Sequence, residues 1–382
     1  MKIAYVINSV EGGGAASPVP ALARVLTAHG AEVRVLALTR RDGRGLAPME
    51  AAGLRVSVRP GGDRDHAAAL AWLDRQIGDE APDLIWTSLT RATLLGQMVG
   101  ARRGRPVVSW QHAAYLKPAN RILLRATQRL SALWVGDSES VTALTAQRLG
   151  VGWDRLATWP LFSADSTAPR ARPWRPGGKL SLGSLGRLHP VKGYDILIAA
   201  LTHLHAQGFR PPTPFEVAIA GEGAEREALQ SAAAAAGLDN LRLAGFVDNP
   251  RRWLSGLHAY LQPSRSEGLC IAAHEAMQAG LPTIVSAVGE LPYSVVPGQT
   301  GWVVPPADPR ALAAALRELL SNPDRLAAMG AASRERLFTR FGAEAFEAAG
   351  AAVLARLSLS AAGRSTSVPA RPRSRQASDP RA

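Results

Sequence analysis

Arg187 and Lys192 stand in the run Gly183-Ser184-Leu185-Gly186-Arg187-Leu188-His189-Pro190-Val191-Lys192-Gly193, between an apolar segment and a helical pattern that opens at Gly193. A loop that leaves a strand and enters a helix gathers free backbone N–H groups and the positive end of the helix dipole, so it suits an anion. Arg supplies a planar fork and Lys a point charge. Together they can neutralise a diphosphate, including the charge that develops on a departing nucleoside diphosphate. Taken alone, two loop cations fit an ordinary solvated surface equally well.

Two carboxylates follow in Pro263-Ser264-Arg265-Ser266-Glu267-Gly268-Leu269-Cys270-Ile271-Ala272-Ala273-His274-Glu275-Ala276. Glu267 falls in a strand-to-helix loop. Glu275 falls inside the helix, among Ala272, Ala273 and Ala276, where a carboxylate facing a cleft can accept from two vicinal sugar hydroxyls. The plainer alternative is a capping Glu267 and a solvated Glu275. Cys270, the one cysteine, reads as a small packing residue near a helix start.

Near the N-terminus, Gly12-Gly13-Gly14 lies between the first apolar run and the first helical pattern, where backbone can approach a ligand closely. It does not complete G-x-G-x-x-G, which weakens a dinucleotide reading. His112 directly follows Pro106–Gln111 and so sits at the carboxyl end of an expected strand. Asp63-Arg64-Asp65 precedes a helix start and reads as a cap, not a metal pair.

The elements that must position these residues alternate. Short apolar runs at 2–8, 33–38, 56–59, 83–88, 106–111 and 133–136 are separated by helical patterns at 16–29, 66–77, 92–102, 120–131 and 140–149. That alternation predicts parallel βαβ units. It breaks at 160–179, which holds four prolines and Gly177-Gly178, and then restarts with strands at 180–185, 215–220, 241–244, 259–262 and 282–286. Helices are expected over 193–205, 224–236, 271–279, 309–321 and 325–329, with a long one around 331–357. The expected fold class is α/β, two Rossmann-like domains facing a central cleft: residues 1–165, residues 166–340, a helix at 341–360 crossing back, and a disordered basic tail at 361–382. Ligands of such sheets bind beyond the carboxyl ends of the strands.

The chain has 382 residues, a formal net charge of +13 and 47% hydrophobic residues. That length suits two ordinary domains. One cysteine excludes a disulfide framework and a Cys-based zinc site. No long apolar stretch reads as a signal peptide or a membrane span, which favours the cytoplasm. Residues 1–160 hold 20 Lys and Arg against 13 Asp and Glu, so positive charge concentrates in the first half and in the tail. An anionic membrane surface is a candidate partner. Arg121, Arg125 and Arg129 recur at helical spacing beside Ile122, Leu123, Leu124 and Leu130; either the leucines face the core or this face docks on lipid. Nucleic acid is disfavoured, since aromatics are 5% and no RNA-reading motif appears.

Arg187-x4-Lys192-Gly193, Gly221-Glu222-Gly223, Gly245-Phe246-Val247, Pro263-Ser264, Glu267-x7-Glu275-Ala276, Gly280-Leu281-Pro282 and Gly301 stand in an order that resembles the donor half of glycosyltransferase family 4. The resemblance runs roughly from 180 to 341; the first half resembles that family in outline. It implies the GT-B fold, retention of anomeric configuration, and transfer from a UDP- or GDP-sugar to a glycan or lipid-linked acceptor in polysaccharide or lipopolysaccharide biosynthesis. It implies that Arg187 and Lys192 hold the diphosphate and Glu275 the ribose. Glu267 and the backbone of Gly268, Leu269 and Cys270 would face the donor sugar and phosphates, Val247 the base, and Gly13 and Gly14 the phosphates from the other domain. His112 would contact the donor sugar in a positioning and electrostatic role. No cofactor and no metal are expected, and the enzyme would be cytoplasmic, peripheral on the inner face of the membrane. The chain departs from that family's pattern at Cys270 and Glu290, where relatives often carry Gly. An NAD-dependent Rossmann oxidoreductase and a non-catalytic nucleotide- or carbohydrate-binding protein are the competing readings.

Overall fold

Strands covered on both faces read as near-continuous apolar runs, and the strands of this chain are covered that way. A computed structural model gives the structure and describes residues 1–112 and 116–365, with side chains to Leu357. Strands β1 (Lys2–Ser9), β2 (Glu32–Thr39), β3 (Arg55–Val58), β4 (Leu84–Ser88), β5 (Val107–Gln111), β6 (Leu133–Gly136) and β7 (Leu156–Thr158) form one sheet, ordered β3-β2-β1-β4-β5-β6-β7. Strands β8 (Leu180–Leu185), β9 (Phe215–Ala220), β10 (Leu241–Gly245), β11 (Ala259–Gln262), β12 (Thr283–Ser286) and β13 (Gly301–Val304) form the second, ordered β10-β9-β8-β11-β12-β13. Every pairing is parallel. In each sheet the order reverses beside the first strand, the place where such sheets open a ligand crevice.

The sequence reading missed β7 and β13, which have only three and four residues. The first helix runs Val19–Ala28 and not from 16, because Ala16 and Ser17 N–H turn back onto Gly13 O at 3.2 and 3.0 Å and Pro18 occupies the cap. The expected long final helix is two helices, Leu326–Phe341 and Ala343–Ser365, separated by extended backbone at Gly342. Residues 361–365 are helical, so the expectation of disorder from 361 was misplaced; an Ala-containing stretch continues the helix there. The remainder of that tail lies outside the described residues.

The last helix lies against the first sheet's layer. Phe346 meets Trp159 at 5.4 Å between ring centroids, Trp159 stacks on Trp110 at 5.2 Å, and the Arg356 guanidinium donates to Leu156 O. Between β7 and β8 the chain has no regular element but is pinned. Ala164 N–H donates to Phe341 O and Ala171 N–H to Ala279 O, each at 2.7 Å, and Asp165 N–H to Gln278 Oε1 at 2.7 Å. One apolar cluster, containing Trp110, Phe162, Leu269, Ala276 and Phe341, is continuous from the first sheet to the second.

Candidate active site

Gly193 has φ +68° and caps the helix Tyr194–Ala206. A Cβ there would collide with Pro263 O, so glycine lets the Lys192 loop press onto the Glu267 loop. Arg265 locks the contact: its N–H donates to Val191 O at 2.8 Å and its guanidinium grips Asp195 at 2.7 and 2.6 Å. Within this frame Lys192 Nζ donates to Glu267 Oε1 at 2.7 Å. The same oxygen accepts from Ser264 Oγ at 2.6 Å and Gln262 Nε2 at 3.1 Å. Burial draws the Lys192 ammonium down, but the Glu267 charge outweighs it and the pKa rises to about 12. Lys192 is therefore a cation at any physiological pH.

Arg187 lies earlier on the same loop as Lys192, exposed and without a hydrogen bond or ion pair among the described residues. Its loop is tied to Gly221-Glu222-Gly223 through Leu188 N–H to Glu222 O at 2.8 Å. Glu275, on the helix Ile271–Gln278, is half-buried; burial raises its pKa, Arg251 opposes the shift, and no side chain hydrogen-bonds it among the described residues. Val247 is half-buried just beyond β10. Leu269 and Cys270 are buried, and Cys270 takes φ +66°, left-handed backbone that is costly outside glycine. Burial pushes its thiol well above the usual range, as a packing residue requires.

The first domain supplies His112 and the glycine loop. His112 Nε2 is 2.7 Å from Ser88 Oγ and its ring stacks on Trp110. Nδ1 is buried and has no partner among the described residues, and burial lowers the pKa to about 3, so the ring is neutral. A Cβ on Gly268 would collide with His112 O, so the two domains meet backbone to backbone at this point. Gly14 lies opposite Ile271, 3.7 Å from its Cδ1 at the position of an added Cβ. Gly13 is one turn away from the helix start rather than on it, because its carbonyl closes the turn described above.

Asp63 and Asp65 do not cap the following helix. Asp65 binds Arg59 at 2.6 Å and Arg91 at 3.0 Å, and Asp63 lies 3.3 Å from Arg41, because three guanidinium groups converge there and outcompete backbone N–H groups. Arg102 and Arg103 end the helix Thr90–Arg103, both paired with Asp74. Among the described residues no three His, Cys, Asp or Glu side chains are grouped to hold a metal.

The sequence reading gives several residues at this seam no role in the site and notes Glu290 only as a departure from the family's pattern. Asp137, directly after β6, is 3% exposed. Glu290 is buried against Arg340 at 2.7 Å. Arg44 lies over the Phe246 ring at 3.7 Å, a cation–π contact between the domains. Only the strand-end position of Asp137, shared with His112, could have drawn notice.

The family described as Glycosyltransferase Family 4 matches residues 12–162, and that described as Glycosyl transferases group 1 matches residues 167–336. The chain is 35% identical over 312 residues to a D-inositol 3-phosphate glycosyltransferase of Streptomyces coelicolor, covering 70% of this chain and 67% of the relative. It is 34% identical over 196 residues to a GDP-mannose-dependent alpha-(1-6)-phosphatidylinositol monomannoside mannosyltransferase of Mycolicibacterium smegmatis, covering 48% and 49%. The chain spans 66% and 67% of the length of two of these D-inositol 3-phosphate glycosyltransferases and 42% of a third. Anabaena HepE in complex with UDP-glucose shares the fold, with a TM-score of 0.79 at 19% identity over 93% of this chain and 99% of that one. The lipopolysaccharide outer core galactosyltransferase WaaB also shares it, with a TM-score of 0.68 at 15% identity over 95% and 100%.

Proposed function

The chain belongs to glycosyltransferase family 4, and from that premise we propose that it is a retaining enzyme moving a sugar from a UDP- or GDP-sugar to a hydroxyl of a lipid-linked glycan acceptor, in polysaccharide or lipopolysaccharide synthesis. The observation that carries this reading is the pairing of Lys192 with Glu267 beside Arg187, which is unpaired among the described residues, with His112 of the opposite domain behind Gly268. In this reading Arg187 and Lys192 hold the diphosphate, Glu267 and the neutral His112 ring serve the donor sugar, and Glu275, which no side chain hydrogen-bonds among the described residues, takes the ribose. The acceptor oxygen bonds to the anomeric carbon as the sugar–phosphate bond breaks, and the departing phosphate takes the acceptor's proton. Arg187 and Lys192 stabilise the charge on that phosphate without a divalent metal.

The acceptor class draws support from the first domain's surface. On the helix Pro118–Thr127 and the turn after it, Leu124 is buried, but Ile122, Leu123 and Leu130 are 66%, 50% and 44% exposed. Arg121, Arg125 and Arg129 are exposed beside them. Three large apolar side chains among guanidinium groups suit the interface of an anionic bilayer, each Arg contributing about 1 kcal/mol near the surface. No helix among the described residues is long and apolar enough to cross a membrane.

The test is turnover of UDP- and GDP-sugars read as released nucleoside diphosphate, repeated with a chelator, with NAD as a thermal-shift control. Turnover of one nucleotide-sugar that Lys192→Ala abolishes and the chelator spares supports the reading. Stabilisation by NAD and by no uracil or guanine nucleotide overturns it.

A further inference from the structure

Asp137 and His112 are neighbours by register. Gln111 pairs with Gly136 at the ends of β5 and β6, and the next residues along the chain are His112 and Asp137. Asp137 N–H donates to Gln111 O at 3.2 Å, so both residues stand at the carboxyl end of the same sheet, and the Asp137 carboxyl accepts the Leu269 N–H of the second domain. Gly268 comes to meet them. A Cβ on it would collide with His112 O and stand 3.1 Å from Asp137 Oδ2. Gly268 O in turn accepts Glu290 N–H at 2.9 Å.

Three buried polar atoms around this glycine have no partner among the described residues: His112 Nδ1, Asp137 Oδ1 and Glu290 Oε2. The nearby cations are engaged elsewhere, Lys192 with Glu267 and Arg340 with Glu290 Oε1. Asp137 thus has no counter-ion among the described residues. Burial drives its pKa up, the Leu269 N–H and the Ser138 hydroxyl oppose the shift, and the Glu290 and Glu267 charges reinforce it. A buried carboxyl within the field of two other carboxylates does not serve as an ion-pair brace between domains. Its unsatisfied oxygen calls for a neutral partner with hydroxyl groups.

We propose that Asp137 is a specificity-determining residue that takes a hydroxyl of the transferred sugar, with Glu290 Oε2 as a second acceptor on the same ligand. The inference rests on the nucleotide-sugar reading above and deepens it. The sugar enters where Gly268, Leu269 and His112 meet, and the hydroxyl that Asp137 receives is one whose configuration differs between epimeric donors. A site built to hydrogen-bond one hydroxyl discriminates strongly against a ligand that lacks it there, because a buried polar group is then left unpaired.

The experiment compares the parent with Asp137→Asn and Asp137→Ser. UDP and GDP affinities are measured by calorimetry, and donor turnover with UDP-glucose, UDP-galactose, UDP-N-acetylglucosamine and GDP-mannose. The expected result is nucleoside diphosphate affinity within about twofold of the parent, with kcat/KM for the preferred donor falling roughly 30-fold or more and for the poorest donor far less, so that the preference collapses. Loss by one common factor for every donor, or loss of nucleoside diphosphate affinity in both variants, marks Asp137 as structural and overturns the proposal alone. A parent that binds neither UDP nor GDP overturns the nucleotide-sugar reading and this proposal with it.

Discussion

Lys192 Nζ lies 2.7 Å from Glu267 Oε1, so the cation assigned to the diphosphate is held by the carboxylate assigned to the donor's sugar side. An incoming diphosphate must share that lysine. Glu267→Gln frees it and removes a negative charge from the site, so UDP or GDP should bind up to about tenfold tighter while donor turnover falls by about 100-fold or more. Calorimetry and initial rates on one preparation check both halves. Weaker nucleotide binding in this variant would mean that the carboxylate chiefly organises Lys192.

Glu275 is half-buried and no donor among the described residues hydrogen-bonds it, which leaves both oxygens for a ligand. Glu275→Gln should weaken UDP and GDP by roughly tenfold, since hydrogen bonds to a charged group contribute about 1.5–3 kcal/mol. The 2′-deoxynucleotides should lose much less. Equal losses for ribose and deoxyribose forms would assign Glu275 to packing.

Gly268 lets backbone from the two domains touch. Gly268→Ala should hold the cleft open, increase the radius of gyration in small-angle scattering and reduce donor turnover by about tenfold or more. An unchanged scattering profile with full activity would show that this contact is dispensable.

His274 is fully buried; its Nδ1–H donates to Cys270 O, so Nε2 must accept from Ser294 Oγ, each at 2.9 Å. Burial lowers its pKa to about 4, against about 6.5 when unfolded. The unfolded chain therefore binds the proton first as pH falls. The stability from neutral His274 is complete above about pH 6.5 and is lost towards pH 4, by about 3 kcal/mol in all. His112 adds to the same slope. Urea unfolding at about pH 7.5 and 5 should show a pH dependence that is smaller by roughly 2 kcal/mol in His274→Gln.

The exposed face of the helix Pro118–Thr127 should sediment with anionic vesicles at low salt and release at high salt. Replacing Arg121, Arg125 and Arg129 by Ser, or Ile122 and Leu123 by Ser, should abolish binding. A chain ending at Ser365 removes the basic tail from the comparison. If that chain ignores the vesicles, this face does not dock on lipid.

The sequence by itself determined the α/β class, the two-sheet plan, the strand ends and loops that carry Arg187, Lys192, Glu267 and His112, and the helix that carries Glu275. Those features are local: apolar runs of strand length, glycines at strand ends, and charges set beyond them. The short strands Leu156–Thr158 and Gly301–Val304 gave too few residues for a period to show. Whether Leu123 or Leu124 faces the core is decided by which side of the helix meets Trp134 and Leu149, and no spacing of four similar apolar residues settles that. Asp137 is the clearest case of what tertiary structure alone decided. In the sequence it is one aspartate before a helix start. Its burial, its missing counter-ion and its contact with Gly268 exist only because register sets it beside His112 and a second domain closes over both.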